Sequence, residues 1–572
     1  MRTKDIIFNT LKNSKTLIAT LVIYMILSTV FLIGFPLIGW KLLEVADTLE
    51  VNSIWLILFA LSALLFFIFD NLRVKTNVIL CTKVNNNLQN VLYKTALNGD
   101  FRDLEKLDDA YLTKNIIINT KKITLDYMEN NIIVFINEIL VIIAIFIAAF
   151  SVHAIFAAIL LASLPIIYII LKAFVKFSDK FYDKKMHTEK ERISEISNKI
   201  KNIKNIKIRN GIQKEESIFS EELKKYSKSH KKNEILNFMS NKSMRTLLSA
   251  VLMVTFISLG IILMKNQHNW DLGIRPTGVR DILLFVLLTP IAYASFNKIT
   301  SCHLSPSQIS DELDEIDQFL LIRSETKEGQ VDHFDDVRIL SFENVSYSSD
   351  KANFSNISFE VKKNQKIALF IESNNINEVL TNLVNKLEKP QYGSISINDC
   401  DFNRIDTNYL RGLISEIIPE SKLTKNSIRD NIIYPFEFDE YQYNDVLNKC
   451  LLKETINRFE KKDNTIIDKE TDLSEDEKLR LIWAGALYRD GKVILIDDTN
   501  ISISETKYSL IKETLKLKNR IFIFITKDID VIKNCDKVVI FKDNIIVESG
   551  DTQDLLNDKK SIISSMIKKK NR

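Results

Sequence analysis

Two adjacent acids, Asp497 and Asp498, close the apolar run Val493-Ile494-Leu495-Ile496, which follows the turn Gly491-Lys492. Four apolar residues entered from a turn read as a strand buried on both faces. A carboxylate at the C-terminal end of such a strand lies at the mouth of an α/β sheet, where phosphate ligands bind. There it would help hold a Mg ion. The plainer alternative is a core strand ending in a solvated Asp pair. A third acid stands in different surroundings. Glu138, beside Asn137, falls inside the apolar run Ile132–Phe150. An acid within a membrane span is a functional-site candidate; equally, it could lie near the interface or pair with a polar neighbour.

The elements that must position these residues follow from the rest of the chain. At 572 residues there is room for two or more domains. The net charge of +4 implies no bulk attraction to nucleic acid. Five cysteines are scattered without a CxxC pair, which argues against a disulfide framework or a zinc site. Glycine is scarce, 13 in all, which bears on any loop that must cradle phosphates.

Six apolar runs occupy the first half: Thr16–Trp40, Ile54–Phe69, Ile132–Phe150, Val152–Phe174, Leu247–Met264 and Ile282–Ala294 with its flanks. The first is too long for a signal-peptide core of about 7–15 residues and reads as a membrane helix. No protease module is expected ahead of it. Spanning takes about 20 apolar residues, so the second and sixth runs must recruit their flanks. Only Ser151 separates the third and fourth runs, which predicts a tight hairpin with His153 at its surface. The connectors 71–131 and 175–246 are long, and the second is dense in lysine. The excess of positive charge places both connectors and both termini in the cytoplasm.

The expected division is a membrane domain over 1–310, an acidic helical linker over 311–336 and an α/β domain over 337–572. Strands are expected at Ile339–Val345, Ile357–Val361, Lys366–Ile371, Gly393–Ile397 and Ile521–Ile525, with helices at Glu378–Leu387 and Asp476–Leu487. The fold class is thus an all-α, six-helix membrane domain followed by an α/β nucleotide-binding-like domain.

In order along the chain, FENVSYSS, ISFEVKKNQKIALF, KPQYGSISIND, NSIRDNI, LSEDEKLRLIWAGALYRDGKVILIDDTN and KVVIFKDNIIVESGDTQDLL resemble the landmarks of the cassette in half-size ABC exporters. The resemblance covers nearly the whole chain. It implies dimerisation with a second ABC half, ATP and Mg as cofactors, and outward transport across a plasma membrane.

The same resemblance shows where the chemistry is lost. The family's phosphate loop, GxxGxGK[ST], gathers backbone N–H groups on the phosphates and places a lysine on the terminal ones. Here the run is Ile371-Glu372-Ser373-Asn374-Asn375-Ile376-Asn377-Glu378, with Asn377 at the lysine position and Glu378 at the hydroxyl position. At an effective dielectric near 20, each like-charge pair at about 4 Å costs about 4 kcal/mol. A millimolar-to-micromolar affinity is worth only about 4–8 kcal/mol. The signature LSGGQ reads Leu473-Ser474-Glu475-Asp476-Glu477. Ser474 retains a hydrogen bond for a phosphate, but Ser474 with Glu477 makes a capping box, the favoured reading. Asp498 stands for the catalytic Glu, Lys527 for the switch His, Glu420 for the Gln that senses Mg, Ser504 for the Asp of the dimer loop and Ser349 for the adenine-stacking aromatic, with Tyr347 two residues away. Asp497 keeps its identity as the Mg carboxylate.

Both halves of an ATP site are therefore degraded. The resemblance implies a catalytically degenerate half of a heterodimer that moves a hydrophobic or peptide-like substrate, with little or no ATP turnover of its own. The alternative is a non-pumping membrane protein with a regulatory, scaffold or immunity role.

Overall fold

The computed structural model describes residues 2–46, 53–165, 169, 202–238, 244–265, 278–303, 309–325, 329–349, 352–371, 374–418, 423–468, 471–499, 501, 504–542 and 544–565. Ser373, Glu420 and the whole of the lysine-dense stretch 176–201 lie outside them. Two compact units emerge: Met1–Leu97 with Leu107–Ile322, and Asn98–Lys106 with Arg323–Arg572.

The first unit is helical. Its helices are α1 (Thr3–Lys12), α2 (Lys15–Ala46), α3 (Ser53–Leu97), then, beyond the short α4 (Phe101–Glu105) of the other unit, α5 (Asp109–Thr113), α6 (Ile133–Val152) and α7 (Ala154–Pro165), followed by α8 (Ile203–Ile208), α9 (Ile212–Phe238), α10 (Met244–Lys265), α11 (Val279–His303) and α12 (Ser310–Phe319). Helical turns of wider pitch, Lys114–Asn119 and Lys122–Ile132, join α5 to α6. Among the described residues, four stretches are long and apolar enough to cross a membrane: Lys15–Leu43, Ser53–Leu97, Asp109–Val152 and Val279–Thr300. Ala154–Pro165 and Ser249–Lys265 are shorter apolar helices at the fourth and fifth runs. Side chains such as Ile57, Phe67, Val254 and Ile261 stand exposed along them, as an apolar solvent requires. A helix satisfies its own backbone groups, which hydrocarbon cannot.

Two expectations for this unit need correction. The α6–α7 break falls at His153, whose extended backbone (φ −153°, ψ 107°) ends α6 two residues beyond Ser151. His153 is not a surface residue. It is 3% exposed and stacks on Phe156 with ring centroids 4.6 Å apart, at the edge of a cluster that includes Phe156, Phe256 and Phe285. The acidic α12 also folds back onto its own unit. Ile316 and Phe319 pack with Ile6, Leu88, Leu92 and Ile123, while Glu315 pairs with Lys114 at 2.6 Å and Glu312 with Lys122 at 3.0 Å.

The second unit holds two sheets. β1 (Ile339–Ser348), β2 (Asn353–Lys362), β4 (Tyr392–Ile397) and β5 (Cys400–Asp401) form an antiparallel sheet in the order β2-β1-β4-β5. β3 (Lys366–Ile371), β6 (Ile414–Ile417), β7 (Val493–Asp497), β8 (Ile521–Ile525), β9 (Lys537–Lys542) and β10 (Ile545–Asp551) form the other, ordered β10-β9-β3-β8-β7-β6 and parallel except for β10. The helices are α13 (Asn374–Val384), α14 (Thr407–Leu413), α15 (Ile428–Ile433), α16 (Glu440–Lys449), α17 (Lys453–Arg458), α18 (Glu475–Tyr488), α19 (Glu505–Thr514), α20 (Ile529–Ile532) and α21 (Thr552–Asn557).

β7 shows why its apolar run is unbroken. Val493 and Leu495 face one core, with Ile523 and Leu369; Ile494 and Ile496 face the other, with Phe522 and Trp483. A strand covered on both faces needs apolar side chains at both parities. α13 begins four residues earlier than expected because its buried stripe, Ile376, Val379, Leu380, Leu383 and Val384, starts before Glu378.

Candidate functional site

The C-terminal ends of β3, β7 and β8 lie side by side, since β8 pairs with both of the others. This is the crevice where parallel sheets bind ligands. The strands deliver Ile371, Asp497 and Ile525 to it, and α13 starts beside it.

Asn377, which the resemblance sets at the position of the phosphate-binding lysine, is buried, 2% exposed. Its Nδ2 donates to Thr499 Oγ1 at 3.3 Å. Thr499 in turn donates to Asp497 Oδ1 twice, from Oγ1 at 2.6 Å and from its backbone N–H at 3.0 Å. A chain of hydrogen bonds without a cation thus ties α13 to the end of β7. Asn374 opens α13, and Glu378 is exposed one residue past its first turn.

Asp498 faces the other way. Its backbone N–H donates to Ile525 O at 3.0 Å, continuing the β7–β8 pairing by one residue. Alternation along the strand then turns its side chain opposite to that of Asp497. It is 3% exposed and meets Lys507 of α19, whose Nζ lies 2.9 Å from Asp498 Oδ2 and 3.5 Å from Asp528 Oδ2. Asp528 also accepts the Tyr508 hydroxyl at 2.6 Å and caps α20 through the Asp530 N–H at 3.0 Å. Burial pushes the Asp498 carboxyl above the usual carboxylate range, with Lys507 partly offsetting it. The hydrogen bond to Asp528, ahead of burial, pushes Tyr508 up to about 12.

Sequence reasoning missed Lys507, Tyr508 and Asp528. A signal for Lys507 was present: it lies on the stripe 507, 510, 511, 514, and all four residues are buried. Ser504 caps the same helix, accepting from the Lys507 N–H at 3.2 Å.

The signature segment is used within its own chain. Ser474 and Glu477 form the expected capping box at the start of α18. Glu477 also takes Arg458 at 3.0 Å, Glu475 pairs with Lys478 at 2.7 Å, and Asp476 accepts from Thr506 at 2.8 Å. Burial opposes it, but the Ser474 N–H and the Arg458 guanidinium hold Glu477 below the usual range. On β6, Glu416 accepts from Asn385 at 2.7 Å, and burial pushes its carboxyl up to about 7. Lys527 is exposed. Tyr347 is not placed to stack on a base: it is buried against Phe354, with centroids 5.8 Å apart.

These residues do not fit a Mg-triphosphate. Asn377 brings no charge, Asp498 is turned inward onto Lys507, and among the described residues no group of three or more His, Cys, Asp or Glu could hold a metal ion.

Comparison with known proteins places the whole chain. The sequence profile of the ABC transporter transmembrane region matches residues 16–274. A candidate export ATP-binding/permease protein of Rickettsia typhi is 22% identical over 486 residues, covering 83% of this chain and 82% of that protein. A lactococcin-G-processing and transport ATP-binding protein of Lactococcus lactis is 23% identical over 71% of this chain, which spans 58% of its length. A bacterial Atm1-family ABC exporter, solved with ATP bound, superposes with a TM-score of 0.76 at 17% identity over 98% of both chains, which speaks for the fold. Residues 16–274 thus match the ABC transporter transmembrane region, and the apolar helices with the α/β cassette that follows them give the chain the fold of a half-size ABC exporter.

Proposed function

We propose that this chain is the catalytically degenerate half of an ABC export system in the plasma membrane, with its cassette and both termini in the cytoplasm. It supplies half of a transport path for a hydrophobic or peptide-like substrate and pairs with a second ABC half that carries the ATP chemistry. The single observation behind this reading is the state of Asp498. A carboxylate that must orient an attacking water has to face the nucleotide, and this one is buried against Lys507 at 2.9 Å. Mg-ATP binding to this chain is read as weak or absent on separate grounds: Asn377 brings no charge to the phosphates and is bonded to Thr499 instead.

A non-transporting role in regulation, scaffolding or immunity is supported by a separate observation: the signature acids, too, are spent on partners within the chain. Export by a reconstituted pair distinguishes the two. The primary test is hydrolysis of Mg-ATP by the purified full chain, with Asp498→Asn alongside. The expected result is no turnover above background in either. Turnover in the wild type that Asp498→Asn abolishes would overturn the reading.

A further inference from the structure

A second site lies inside the membrane domain. Helices α2, α3, α6 and α11, all of the first unit, line a half-open cavity of about 400 Å³. Its apolar wall includes Leu32, Phe66 and Val141. Its polar lining is unusual for such a place. Glu138 is held at 2.7 Å by Lys298, and Asp70 at 2.7 Å by Arg73. The side chain of Glu138 is 6% exposed, whereas that of Lys298 is 58% exposed. The acid is therefore the fixed, deep charge, and the lysine reaches it from the mouth. Beside Glu138, two further groups line the same cavity: Thr29, 4% exposed, and Asn137, 7% exposed. Thr29 Oγ1 and Asn137 Oδ1 are buried and have no hydrogen-bond partner among the described residues. Buried polar atoms are nearly always satisfied, so two orphans around one cavity call for an occupant. An amide oxygen can only accept. The occupant must bring N–H or O–H donors.

We propose that this cavity binds a protonated amine carrying an apolar body, its ammonium displacing Lys298 from Glu138 and donating to Asn137 Oδ1 and Thr29 Oγ1. The displaced lysine swings to the mouth, where it is already more than half exposed. An anion fits less well: it would pair with Lys298 but meet Glu138 and Asp70 and leave Asn137 Oδ1 without a donor. This site rests on the reading that the membrane domain carries substrate, and it names the class of that substrate. Binding needs neither ATP nor a partner half, so the two readings fail separately.

The test uses the full chain in phosphatidylcholine nanodiscs, with dansylcadaverine, a primary amine on an apolar fluorophore, as the probe. Its N-acetyl derivative, neutral and otherwise alike, is the control. The wild type is expected to prefer the amine. Glu138→Gln should weaken it about tenfold, the scale of one charge-assisted contact. Thr29→Val, close to isosteric, should weaken it about threefold. Lys298→Met should tighten it, because the competitor is gone, and no substitution should move the acetylated control. If Glu138→Gln does not fold, Thr29→Val and Lys298→Met decide. Equal binding of amine and control, or weakening by Lys298→Met, overturns the proposal; the pair is then a structural clamp around water. An amine bound in the expected pattern, yet not exported by the complex of this chain with an active ABC half, would leave the site standing and sink the export reading.

Discussion

The ammonium of Lys507 lies 2.9 Å from the carboxylate of Asp498, and neither side chain is more than 2% exposed. By the resemblance of the LSEDEKLRLIWAGALYRDGKVILIDDTN stretch, Asp498 would stand where ABC cassettes keep their catalytic acid. The ion pair thus occupies the point where hydrolysis would need an open carboxylate. Asp528 completes the group from a third segment.

Lys507→Met should destabilise the cassette by about 3–5 kcal/mol, because two aspartates are left buried without their cation. Adding Asp498→Asn and Asp528→Asn to Lys507→Met should recover most of that loss. Hydrogen exchange across β7 and β8 in the purified full chain measures both. A single mutant as stable as the wild type would show that the lysine is not the counter-ion.

Mg-ATP should not protect the cassette against heat. A ligand at 100 times its dissociation constant stabilises by about 2.7 kcal/mol, a clear rise in melting temperature. With Asn377 tied to Thr499 and Asp498 turned inward, the expected rise at millimolar Mg-ATP is nil.

Ser474→Ala should loosen the first turn of α18 by about 1 kcal/mol, the usual worth of an N-cap, read as faster exchange of the Glu477 amide. The cap also carries a pH dependence. Because Glu477 is held below its usual range, its stabilisation is full above about pH 4.5 and is lost as the pH falls through its lowered value. Ser474→Ala should flatten that acid limb.

Glu416 acts in the opposite sense. Its carboxyl is raised from 4.5 to about 7 by burial. Below pH 4.5 it is protonated in both folded and unfolded chains. Between 4.5 and 7 the unfolded chain alone loses the proton, so stability falls as pH rises and levels off above 7. Glu416→Gln should remove this slope and stabilise the cassette at pH 8 by roughly 1–2 kcal/mol, after allowing for the residue's partial exposure. Melting curves of the two proteins from pH 4.5 to 8 test it.

The sequence alone located the elements that depend on local pattern. The buried strands Lys366–Ile371 and Ile521–Ile525 fall where their apolar runs begin and end. Ser474 and Glu477 make their cap because both partners lie within one helical turn. The membrane helices follow from apolar length. It also showed that the run Ile371–Glu378 holds neither glycine nor lysine, since that is a matter of residue identity.

What only the tertiary structure decided depends on which face meets which neighbour. Lys507 sits in a charged segment, Glu505-Thr506-Lys507-Tyr508, that reads as solvated. It is buried because α19 lays its stripe against the sheet and sets the ammonium between acids that follow β7 and β8. His153 likewise turns inward because Phe156 offers it a ring to stack on. Glu138 finds Lys298 across 160 residues, at a cavity that no single helix foreshadows. Sequence periodicity sets which face of each element is apolar; the energy of a buried charge is set by partners brought together from distant parts of the chain.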